Sequence, residues 1–160
     1  MKFIFAIIIL CTGPMLIVGN PENKEQVGQC PPGVICDPTK FDEYHIISWR
    51  DEKARLDNAA IQLQRNPSYI IYLTVYAGRR ACIGEVQARA VRAKNYLVDK
   101  RGIEADRVLW KDGGYREEET VEVWVQPRGA VEPSTAPTVD KKDVQIVNCQ
   151  QKQRRRRGHA

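Results

Sequence analysis

The chain begins with a strongly apolar run that stops abruptly. Phe3 to Leu10 is almost wholly apolar, Gly13-Pro14 interrupts the run, Met15 to Val18 resumes it, and from Asn20 the chain turns polar. With Lys2 in front, this layout predicts a secretory signal peptide over residues 1–19, cut after Gly19. The rival is a retained anchor, for which the run is short and broken. Cys11 would suit a lipoprotein only with a small residue before it, and Leu10 stands there. Residues 20–40 are polar and hold Pro21, Pro31-Pro32-Gly33 and Pro38, which predicts an N-terminal arm.

Periodic patterning starts at Phe41. Residues 41–49 include Tyr44, Ile46, Ile47 and Trp49 and read as a strand. Ser48 or Asp51 can cap a helix whose first turn holds Asp51 and Glu52, acids suited to the positive helix end. Leu56, Ala59, Ala60 and Leu63 then fall on one helical face, and Asn66-Pro67 stops it. Tyr69 to Tyr76 is apolar at nearly every position and rich in β-branched and aromatic residues, the pattern of a central strand covered on both faces. Ala77-Gly78-Arg79-Arg80 leads away from it.

A second helix is predicted from about Gly84 to Lys100, with Val86, Ala90, Ala93 and Leu97 inward. Lys100-Arg101-Gly102 closes it with cations and a residue free to take the left-handed conformation. Residues 107–110 form a short strand and Lys111-Asp112-Gly113-Gly114 a turn. Thr120 to Gln126 alternates, with Val121, Val123 and Val125 on one side. Residues 128–137 have linker composition, and Val144 to Val147 adds a short strand. The order β-α-β-α-β-β predicts an α+β, two-layer domain over 41–127: two helices on one face of a mixed sheet, with loose arms at both ends. Residues 128–160 form a linker and basic tail.

Charge and cysteines refine this picture. Of the 160 residues, 42% are hydrophobic, enough for one core, and the formal net charge is +5. The tail accounts for that whole excess, with Lys152, Arg154, Arg155, Arg156 and Arg157 and no acid. Such a tail contacts anionic surfaces or is simply solvated. Export argues against nucleic acid as its partner. Cys30, Cys36, Cys82 and Cys149 would remain after cleavage, and in an oxidising compartment they predict disulfides. Three pairings are open. Cys30 with Cys36 closes the shortest loop, which would leave Cys82 with Cys149 as a clasp between domain and tail.

The segment from Gln87 to Val108 resembles the OmpA-like C-terminal domain family. Arg89-Ala90, Tyr96-Leu97, Gly102-Ile103 and Arg107-Val108 match its helix, glycine and basic-residue pattern. Asp57 and the strand from Tyr69 to Val75 sit where the family has a similar helix and strand. The likeness covers about residues 41–127. It implies the OmpA-like β-α-β-α-β-β two-layer sandwich, a periplasmic or outer-membrane-associated location (secretion being the alternative), and binding of peptidoglycan through its diaminopimelate group. In the family an aspartate after the central strand takes the ligand's amine and the helix arginine takes its carboxylate. Arg89 matches that arginine. Where the family has Gly-His-Thr-Asp, this chain reads Ala77-Gly78-Arg79-Arg80. Arg79, Arg80 and Arg89 would then line a cationic pocket for carboxylates or other anions of the envelope. The bland alternative for Arg89 is a surface pair with Glu85, one turn earlier, and for Arg79 and Arg80 a solvated loop.

No serine elbow, zinc-protease helix, phosphate loop or cofactor fingerprint is present, so neither catalysis nor a cofactor is expected. Cys82 with His45 could form a nucleophile and base, but a disulfide is the better use of Cys82. No metal site is expected. His45 and His159 lack zinc-ligand spacing, and Asp112 with Glu117, Glu118 and Glu119 reads as a solvated acidic loop, not a calcium loop. Two functions remain: a non-catalytic envelope-binding module contacting peptidoglycan or another anionic wall polymer, or a structural or protein-interaction domain that has lost that ligand.

Overall fold

The structure, a computed structural model, describes residues 38–149. The predicted signal peptide, Cys11, Cys30, Cys36 and the arginines of the tail lie outside the described residues. Among the described residues six strands and two α-helices are formed, besides short helical turns: β1 (Lys40–Tyr44), α1 (Trp49–Arg65), β2 (Tyr69–Ala77), β3 (Arg80–Cys82), α2 (Glu85–Asn95), β4 (Val108–Tyr115), β5 (Thr120–Pro127) and β6 (Gln145–Val147). The main sheet has the order β1-β5-β2-β4. The β2–β4 pair is parallel and the other two pairs are antiparallel, so the sheet is mixed and the class is α+β.

The helices form where the apolar periodicity places them. Ser48 caps α1, its hydroxyl accepting the Asp51 N–H at 3.2 Å. Leu56, Ala59, Ala60 and Leu63 of α1, and Val86, Ala90 and Ala93 of α2 with Leu97 just beyond it, are buried against the sheet. They meet Ile71, Leu73 and Val75 of β2 and Val121 and Val123 of β5, which the register places side by side. Burying each large aliphatic side chain stabilises the fold by roughly 1.5–3 kcal/mol.

The family-like motif residues turn out to be joints of this frame. After Asn95 the helix widens into one π-type turn, Tyr96–Lys100. Gly102, at φ +70°, closes it: its N–H reaches Val98 O at 3.2 Å, and that of Ile103 reaches Leu97 O at 3.1 Å. Tyr96 donates to Asp57 of α1 at 2.6 Å. Arg107, buried, donates to Leu63 O at 2.7 Å, Tyr69 O at 2.8 Å and Asn66 O at 3.0 Å. It thereby serves carbonyl oxygens at the end of α1, which lack helical partners.

Three sequence expectations change. First, strand β1 stops at Tyr44, and Trp49 already belongs to α1. Second, Lys111 to Gly114 is not a turn but the continuation of β4. Val75 pairs with Asp112 and Tyr76 with Gly114, so Gly113 is the extra residue of a bulge. A Cβ on Gly113 would lie 2.5 Å from a Tyr76 ring carbon, so a ring lies where any side chain would be. Third, residues 128–140 do not run free. They cross the sheet face opposite the helices, where Ala136 N–H donates to Tyr76 Oη at 3.1 Å and Gln126 donates to Val131 O at 3.0 Å. Lys111 Nζ donates to Pro133 O, and Pro133 and Val139 are buried. The segment covers this face through backbone N–H and carbonyl groups and the isolated buried residues Pro133 and Val139, which leave no apolar period to read.

Beyond this strap, β6 pairs in parallel with β3, and a disulfide joins Cys82 to Cys149 with Cα atoms 5.5 Å apart. The bond closes a separation of 67 residues, for which loop entropy alone predicts about 4 kcal/mol of stabilisation.

Candidate functional site

The three arginines singled out by the resemblance occupy different settings. Arg79 is half-exposed and forms a two-pronged pair with Glu117, at 2.5 and 2.8 Å. Hydrogen bonds and the field of Arg79 hold the Glu117 carboxyl below its ordinary value. Arg80 is exposed on β3. Arg89 is 7% exposed and sits inside the structure, where α2 faces α1 and the start of β5.

Around Arg89 the side chains form a closed set. Its Nε donates to Glu52 at 3.3 Å, its Nη1 to Glu119, and its Nη2 to the His45 carbonyl at 3.3 Å. Each guanidinium nitrogen therefore already has an acceptor within the protein. Glu52 is fully buried and also accepts from Arg92 at 2.7 Å and Tyr44 Oη at 3.3 Å. The Tyr44 ring lies beneath the guanidinium, 5.8 Å from ring centre to Cζ. Burial works against the Arg89 charge, but hydrogen bonds and the fields of Glu119 and Glu52 outweigh it and raise its pKa. Burial, reinforced by Glu52, pushes the Tyr44 hydroxyl well above the ordinary tyrosine value.

Glu85, the partner expected from helix spacing, instead accepts the Cys82 N–H at 2.7 Å. The acidic loop expected to be solvated supplies the actual partners: Glu117 for Arg79 and Glu119 for Arg89. Sequence reasoning missed Glu52 because its place in the first turn of α1 already explained an acid there. The helical period carries a second signal. Glu52, Leu56, Ala59 and Leu63 stand at i, i+4, i+7 and i+11, which puts Glu52 on the buried stripe.

A cavity of about 420 Å³ opens beside the end of β2 and the start of α2, lined by Ala77, Ala81, Ile83, Val86 and Ile146 among others. This is the end of the central strand, where the resemblance places ligand contacts. Its acids are Glu85 and Asp112, and none of the three arginines lines it. Asp112 accepts the Gly114 N–H at 2.8 Å. Burial raises the pKa of Glu85, partly offset by the hydrogen bond from Cys82. The cavity thus combines apolar side chains with two acids, and the arginines do not converge on it.

A second cleft, of about 560 Å³, lies between the start of α1 and the end of α2, with Trp49 and Tyr96 among its walls. Among the described residues, no group of three or more His, Cys, Asp or Glu side chains is placed to hold a metal ion. No helix among them is long and apolar enough to cross a membrane.

No protein-family model matches the chain, and no curated protein matches it at a significant level.

Proposed function

We propose that this chain is a non-catalytic, exported envelope domain of OmpA-like architecture that acts through protein contacts, with the family's ligand arginine recruited into the core. With the small β3–β6 sheet set aside, the main sheet and its two helices follow in the order β-α-β-α-β-β, and this order together with the joint-forming roles of Tyr96, Gly102 and Arg107 supports the family reading. The observation that carries the functional reading is the Arg89 network. A peptidoglycan carboxylate would have to displace Glu119 or Glu52 to be gripped by that guanidinium. The cavity near the end of β2 favours a protein partner over an anionic polymer. Its rim carries Ile83 at 67% and Ile146 at 49% exposure, and its charged side chains are acids.

The test separates fold from ligand. Arg89→Ala should destabilise the domain by roughly 1–3 kcal/mol in denaturant unfolding, because the buried Glu52 loses one of its two cationic partners and keeps Arg92 at 2.7 Å. The paired replacement Glu52→Gln/Arg89→Met should restore most of that loss. Cross-linking in intact cells should then capture the same protein partner with the paired variant as with the unaltered protein. Loss of cell-wall sedimentation in Arg89→Ala at undiminished stability would overturn the proposal.

A further inference from the structure

The cleft between α1 and α2 is chemically unlike the cavity at the end of β2, whose charged side chains are acids. Trp49, at the start of α1, and Tyr96, in the turn just past α2, meet edge to face, with ring centres 5.6 Å apart and planes at 78°. Around them stand four cations, Lys53, Arg92, Lys100 and Arg101, and one acid, Asp99. Two of those cations have internal work. Arg92 stacks over Trp49 at 4.5 Å and pairs with the buried Glu52 at 2.7 Å, while Arg101 lies 3.2 Å from Asp57. Lys53 and Lys100 have no ion-pair partner among the described residues.

Two ammonium groups therefore line the same cleft as an aromatic pair that Arg92 holds in place. An ammonium is a compact donor that attracts any anion, and an aromatic ring offers a flat face or edge to an apolar surface. The Asn95 amide adds a neutral donor and acceptor to the lining. A sugar ring bearing a carboxylate uses all three elements. Its C–H face would lie against the rings, its hydroxyls would meet the amide, and its carboxylate would sit between the lysines. A neutral sugar leaves the lysines idle, and a bare phosphate leaves the rings idle.

We propose that the cleft bounded by Trp49, Tyr96, Lys53 and Lys100 binds acidic saccharides. The site is separate from Arg89 and from the cavity at the end of β2, and it stands whether or not the Arg89 account is correct.

Trigalacturonate is a suitable probe, with cellotriose as the neutral control and a short single-stranded oligonucleotide as the stacking polyanion. In heteronuclear NMR of the disulfide-bonded protein, trigalacturonate should shift the Trp49 indole N–H, and cellotriose should not. Lys53→Glu/Lys100→Glu should weaken binding at least tenfold with an unchanged circular dichroism spectrum, since neither lysine has an ion-pair partner among the described residues. Asp99→Asn should tighten binding, because it removes the acid on the rim. The proposal is overturned if the lysine variant binds as tightly as the parent, if cellotriose binds equally well, if the oligonucleotide is preferred, or if trigalacturonate leaves Trp49 unperturbed.

Discussion

The central strand β2 has two faces, covered in two different ways. On one, Ile71, Leu73 and Val75 meet two helices across a buried apolar layer. On the other, Thr74 and Tyr76 lie beside charged residues and under an irregular strap. There Glu122, 3% exposed, accepts from Tyr76 Oη at 3.0 Å, Arg116 at 2.8 Å and Lys40 at 3.0 Å. Arg116 also lies over the Tyr76 ring, 3.6 Å from its centre. The helix face draws its stability from area removed from water, which demands shape but little geometry. The strap face relies on directional contacts, each needing its partner in place. The first should tolerate apolar exchange and resist pH, and the second the reverse.

The largest effect should follow from a hole in the helix face. Leu73→Ala removes a fully buried side chain and should lower unfolding free energy by about 2–5 kcal/mol, read by denaturant melts. If the strap face suffered comparably from loss of a single contact, the contrast would collapse. A smaller effect, roughly 1–3 kcal/mol, is expected from Gly113→Ala, because the new methyl group meets the Tyr76 ring and backbone or ring must shift. Amide exchange sharpens the point. The Ala136 N–H, held by Tyr76 Oη, should lose protection while amides of α1 keep theirs.

The smallest effect is the one with a pH signature. Burial raises the Glu122 pKa, but hydrogen bonds from Arg116 and Lys40 prevail and leave it below the ordinary glutamate value. The unfolded chain therefore takes up this proton first as pH falls. The stabilisation is complete above the unfolded pKa, about 4.3. It is lost as pH drops through the lower folded value. Glu122→Gln should flatten the acid limb of the stability curve in that window, whereas Leu73→Ala should shift the whole curve without changing its slope.

The same contrast explains what could be read in advance. The helices and the central strand were legible because their burial is periodic: Leu56, Ala59, Ala60 and Leu63 repeat at the helical interval. The strap was not, because Pro133 and Ala136 engage through backbone atoms that any sequence possesses. The β4 bulge was hidden for a related reason. Gly113-Gly114 is the composition of a turn, and only the Tyr76 ring lying against β4 shows why a strand needs a glycine there. The clasp from Cys82 to Cys149 was open as one of three pairings, and the pairing of β3 with β6 brings those two cysteines together. At the candidate site, sequence identified Arg89 but not its surroundings. A guanidinium on the flank of an apolar stripe can turn outward to a ligand or inward to an acid. The choice depended on Glu52, 37 residues away in the chain.

The central claim is that Arg89 closes an internal ion pair and is not a ligand's anchor. The most direct measurement is cell-wall co-sedimentation of the purified, disulfide-bonded protein beside its Glu52→Gln/Arg89→Met variant, both first shown to unfold cooperatively. The account predicts equal retention of the two proteins, since every guanidinium nitrogen of Arg89 is already taken by a partner inside the protein. A folded variant that loses retention shown by the parent would contradict it and return Arg89 to the ligand.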